Sequence, residues 1–158
     1  MLAILPTVAG AQAVSPPRAI ADAAADCWQA VGPTAIDEAA LAAKGWKPGE
    51  LKAKNGKPVE TPLKFFGKQG SSVVLMVLAK SRACSVTARV GGVGDYKLLV
   101  SEVVQRLKSL EPGLKAGRGG TNGAAFRAGN RIALLEPTGT QSAPAARIIV
   151  GYSASETK

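Results

Sequence analysis

Two cysteines, Cys27 and Cys84, are the residues whose type and placement point most directly to chemistry. Ile20, Ala24, Cys27 and Val31 fall on one stripe at helical spacing, and Cys84, Val86, Ala88 and Val90 alternate along one face of a strand. Both thiols are therefore expected to point into a core. In an oxidising compartment two such thiols pair, and closing a loop of about 58 residues stabilises by roughly 4 kcal/mol in the chain-entropy model. A Cys27–Cys84 disulfide is the expectation; in a reducing compartment the same residues would be buried thiols acting as small hydrophobes. The chain contains no histidine. Ser-His-Asp and Cys-His nucleophiles, histidine general bases and histidine-ligated metals are thereby excluded, and two distant cysteines cannot supply a four-thiolate site. The 11 acids fall mostly on predicted helix faces and caps, with no evident carboxylate pair. No catalytic residue, metal site or cofactor is called for.

A second candidate is electrostatic. Residues 1 to 43 hold one base and four acids, net −3; residues 44 to 82 hold nine bases and two acids, net +7; the remainder holds ten and five, net +5. Lys44, Lys47, Lys52, Lys54 and Lys57 surround Trp46. A cationic stretch with one aromatic suits an anionic surface such as lipopolysaccharide, acidic glycan, phospholipid head groups or nucleic acid. Two plainer readings stand beside it: Trp46 packs back on the preceding helix, and the lysines are solvated loop residues.

The sharpest local pattern is Arg89-Val90-Gly91-Gly92-Val93-Gly94, which follows a predicted strand and opens a predicted helix. Arg-x-x-Gly-x-Gly in that setting resembles the pyrophosphate loop of the GCN5-related N-acetyltransferases over about 25 residues. The resemblance implies an acyl-coenzyme A site in which Arg89, Gly92 and Gly94, with amides from Val93 to Tyr96, hold the diphosphate. The same residues also read as a glycine turn before a helix capped by Asp95. Gly117 to Gly123 includes Arg118 but lacks the Lys-Ser/Thr of a P-loop, so it reads as a flexible connection.

The elements that must position these residues follow from periodicity and punctuation. Pro16-Pro17 leads into a helix from Arg18 to Val31, and a shorter helix from about Ala35 to Lys44 has Thr34 as its cap and Gly45 as its stop. Lys47 to Pro62, rich in Pro, Gly and Lys, reads as a loop with one short extended piece. Strands follow at Leu63 to Phe66, Ser72 to Lys80 and Cys84 to Val90, the second and third joined tightly at Ser81-Arg82. The unbroken apolar run Val73 to Ala79 predicts a central strand covered on both faces. A helix from Asp95 to Leu110 carries the stripe Tyr96, Leu99, Val100, Val103, Leu107 and Leu110 and an outer Glu102–Arg106 pair. Strands at Ala124 to Ala128, Arg131 to Leu135 and Arg147 to Tyr152 complete the chain, the first two joined by a Gly129-Asn130 hairpin.

The expected class is α+β: an antiparallel sheet of about six strands, arranged as two three-stranded meanders, packed against two or three helices. Helix plus meander occurs twice in this order, without residue-level similarity between the halves. Residues 14–158 are read as a single domain, and no apolar run is long enough for a transmembrane segment. Residues 1–13 are read as a signal-peptide remnant, an apolar stretch ending in the small-x-small Ala11-Gln12-Ala13 but lacking a basic n-region. The resulting expectation is a periplasmic or extracellular, non-catalytic binding or accessory protein of the cell envelope. Its partner would be an anionic envelope polymer or a protein; no specific nucleic-acid motif is present, and nothing in the sequence sets an oligomeric state.

Overall fold

The computed structural model describes residues 13–78, 80 and 82–153. Residues 1–12, where nearly all of the leader reading falls, and Ser81 of the expected Ser81-Arg82 turn lie outside the described residues. The chain forms α1 (Pro17–Ala30), α2 (Glu38–Ala43), β1 (Trp46–Gly49), β2 (Leu63–Lys68), β3 (Val74–Leu78), β4 (Ala83–Arg89), α3 (Val93–Leu110), β5 (Lys115–Gly119), β6 (Gly123–Ala128), β7 (Arg131–Gly139) and β8 (Pro144–Tyr152). All eight strands belong to one antiparallel sheet in the order β1-β2-β3-β4-β8-β7-β6-β5.

The class is α+β as expected, with eight strands in place of six. The two additional strands are the outermost ones. β1 contains Pro48 and Gly49, and β5 is Lys-Ala-Gly-Arg-Gly; neither has intrinsic strand character, and each is held by its ladder to a single neighbour. Proline, lysine and shortness are what sheet edges tolerate and central strands do not. Each meander therefore has four strands, and the order helix, then four-stranded meander, occurs twice. The two halves meet at the β4–β8 ladder, where Val86 lies opposite Ile148.

Both long helices lie on the same face of the sheet. α1 starts at Pro17, where a missing N–H costs nothing, and buries Ile20, Ala24, Cys27 and Trp28. Of the expected stripe α3 buries Leu99, Val103 and Leu107; Tyr96 and Val100 are partly buried against the core and Leu110 is exposed. Arg106 reaches across to Asp22 of α1, so the ion pair links the two helices and the expected partner Glu102 is not the one used. α2 is shorter than expected, and its cap is Asp37, whose Oδ1 accepts from Ala40 N at 2.9 Å, in place of Thr34. Gly45 ends it with φ 88°, a conformation favouring glycine.

The sheet contributes alternate residues to the core: Leu75 and Val77 on β3, Cys84, Val86 and Ala88 on β4, Ile148 and Val150 on β8, and Ala133 and Leu135 on β7. The residues between them point away from the helices and stay partly or fully exposed. This corrects the reading of β3 as covered on both faces. Among the described residues no helix and no second sheet lies against the outer face.

Candidate functional site

The disulfide forms between Cys27 and Cys84, with Cα atoms 5.7 Å apart. Both residues are fully buried. The bond fastens the middle of α1 to the strand beside the sheet's centre, so it locks the helix layer onto the sheet.

The cationic stretch does not act as one patch. Trp46 is only 3% exposed, and its Nε1 donates to Asp26 Oδ2 of α1 at 2.9 Å. It anchors β1 to the helix layer and is no surface aromatic; Lys68 Nζ lies 5.6 Å from its ring centroid. Lys44 ends α2 and borders a small cleft of about 290 Å³ with Asp22, Asp26, Lys68 and Arg106. Lys47 follows Trp46 in β1 and so points to the opposite, outer face.

Lys52, Lys54 and Lys57 form the third group. Residues 51 to 59 fold as a small two-stranded excursion in which Val59 N donates to Leu51 O at 2.8 Å, Ala53 N to Lys57 O at 2.9 Å and Gly56 N to Ala53 O at 2.8 Å. Gly56, at φ 77°, makes the tip possible. All three lysines are exposed there, and Lys52 lies 3.8 Å from Glu50. Between this excursion and β2 lies an open cleft of about 880 Å³ lined by Leu51, Val59, Leu63 and Phe65, with Glu38, Glu50 and Glu60 at its margin.

The loop after β4 is a turn in the structure. Arg89 ends β4, Gly92 is the residue before α3 with φ 152°, and Gly94 lies in the first helical turn. Asp95 also lies in that turn and is not the cap; its Oδ2 accepts from Gly91 N at 3.1 Å. A carboxylate thus occupies one of the amides that a diphosphate would need. Beside this turn is a cleft of about 460 Å³, bounded by Val90, Val93, Tyr96, Pro137 and Pro144 and carrying Lys97. Its volume falls in the range of small-molecule sites. Tyr96 closes one side: its hydroxyl donates to Asn122 O at 3.0 Å, and burial, with the nearby Glu136 charge, raises the phenol above its ordinary value.

The outer face of the sheet carries apolar residues that no motif in the sequence marks. Phe65, Met76, Ser85, Ile149 and Leu134 stand directly opposite one another on successive strands, and Leu63 pairs with Leu78 in the next row. Its trace in the sequence is the apolar run of β3, which fits a doubly covered strand equally well. Among the described residues no group of three acids or cysteines gathers in a way that would hold a metal ion. No protein-family description, curated protein or solved structure matches the chain.

Proposed function

We propose that the chain is a small periplasmic or extracellular binding or accessory protein of the cell envelope, working without catalysis on an anionic partner. The observation that carries this reading is the exposure of Lys52, Lys54 and Lys57 together at the tip of the excursion after β1, in a chain of net charge +9. Their Cα positions are fixed by backbone bonds from Leu51 to Val59, so the cations are presented by an ordered turn. The Cys27–Cys84 disulfide supports an oxidising location, and the lack of histidine removes most hydrolytic machinery. An acidic polysaccharide or similar polyanion would be held by screened, salt-sensitive attraction.

Retention on immobilised heparin tests this. The chain is expected to bind at low ionic strength and elute with added salt, and a K52E/K54E/K57E variant is expected to elute earlier. Passage of the unmodified protein through the column at low ionic strength would remove the reading.

The cleft beside Gly92, Val93 and Lys97 favours one alternative, an acyl-coenzyme A-binding protein similar to the GCN5-related N-acetyltransferases, with Arg89, Gly92 and Gly94 in the diphosphate loop. In that case acetyl-coenzyme A raises the melting temperature. An unchanged melting temperature at millimolar ligand would dismiss it.

A further inference from the structure

We propose that the sheet face turned away from the helices docks on the acidic surface of a lipid bilayer. The proposal rests on the reading above that the partner is anionic and belongs to the envelope, and it names both the partner's chemistry and a different part of the molecule that meets it.

The face is built by strand alternation. Phe65 opposes Met76, and Ile149 opposes Leu134, in one cross-strand row; Leu63 opposes Leu78 in the next. Leu63 at the start of β2, Leu78 at the end of β3 and Leu134 in the middle of β7 are 37%, 44% and 42% exposed. Eight strands spaced about 4.8 Å apart make this face roughly 35 Å across. Gly67 and Gly151 keep it low: an added Cβ at either would meet nothing within 4 Å.

Cations flank the apolar rows at both sheet edges. Lys47 lies at the β1 edge, Lys115 and Arg127 lie at the β5 edge, and Arg147 lies towards one end of β8, while Glu50 and Glu60 border the cleft beside Leu63 and Phe65. The single acid in these rows, Glu136, is held by Arg147, whose Nε and Nη2 donate to Oε1 at 3.2 and 3.0 Å. Lys115 and Arg127 stand directly opposite each other, an arrangement that weakens a free sheet and that an anion relieves.

This combination selects among occupants. A hydrophilic polyanion would use the cations and leave the aliphatic rows idle. A second copy would set the same excess of cations against itself. A specific protein interface concentrates its energy in Trp, Tyr and Arg anchors seated in pockets, whereas these rows hold Leu, Ile and Met, the single aromatic Phe65 and, between Met76 and Ile149, Ser85. The head-group boundary of an acidic bilayer takes aliphatic side chains without shape matching and draws lysine and arginine to its phosphates.

The test is co-sedimentation of the full chain with vesicles of equal parts phosphatidylglycerol and phosphatidylcholine, with phosphatidylcholine vesicles as reference. Binding is expected only to the acidic vesicles and is expected to weaken with salt. L78E and L134E are each expected to weaken it by about tenfold or more. K115E/R127E acts on the charge alone and is expected to weaken it by at least about tenfold. L98E, on an exposed position of α3, is expected to bind like the unmodified chain. All variants are compared at equal melting temperature, and K115E/R127E serves if a leucine variant unfolds. Absence of binding to acidic vesicles, or unchanged binding by the outer-face variants, overturns the proposal. So does a dimer in lipid-free solution that L134E dissociates, since the face would then be occupied by a second copy. Retention on heparin without vesicle binding overturns this proposal and leaves the anionic-polymer reading standing; failure of both removes both.

Discussion

Cys27 of α1 and Cys84 of β4 are disulfide-bonded at a Cα separation of 5.7 Å, and the loop they close, at a sequence separation of 57, carries α2 and the first three strands. The bond therefore restrains the first three strands of the first meander in the unfolded chain. The C27A/C84A variant is expected to lose about 4 kcal/mol of stability relative to the oxidised protein, read from urea denaturation. A loss below about 1 kcal/mol would mean that the core alone fixes α1 on the sheet.

Trp46 and Trp28 are both buried, but only one has an acceptor for its indole N–H. Trp46 donates to the Asp26 carboxylate at 2.9 Å, whereas Trp28 Nε1 has no hydrogen-bond partner among the described residues. W46F and W28F delete similar volume. W46F is expected to cost about 1 to 2 kcal/mol more, because it alone breaks a bond to a charged group. Equal losses in chemical denaturation would contradict the role of Trp46 as the tie between β1 and α1.

Tyr96 gives the fold an alkaline weakness. Burial first, and the Glu136 charge second, raise its phenol above the ordinary value near 10. The folded state thus holds the Tyr96 proton more tightly than the unfolded state does. The associated stability is fully present below the unfolded value and is lost as pH rises through the folded one. Denaturation at about pH 9 and about pH 11 is expected to show a smaller fall for Y96F than for the unmodified chain. Parallel falls would show that this phenol titrates alike in both states.

The helices and the inner strands were legible because each carries a period that only one structure satisfies. Leu99, Val103 and Leu107 mark a helix face, and Cys84, Val86 and Ala88 mark a strand face. β1 and β5 were not legible, since Pro48, Gly117 and Gly119 argue against strands and their pairing is supplied by β2 and β6. The same limit applies to the cationic segment. Nothing in Lys44-Gly45-Trp46-Lys47 says that the lysines diverge while Trp46 finds Asp26, twenty positions earlier in α1. The open face of β3 was hidden by its own composition, because an apolar run reads equally as a doubly covered strand or as a surface awaiting a partner.

The most direct test of an exported, disulfide-locked binding protein is mass spectrometry of the chain recovered from fractionated cells, reading the N-terminus and the thiol state together. The account predicts recovery from the periplasm or medium, with a chain beginning at Val14 and Cys27 bonded to Cys84. Recovery from the cell interior with residues 1–13 retained and both thiols reduced would contradict it.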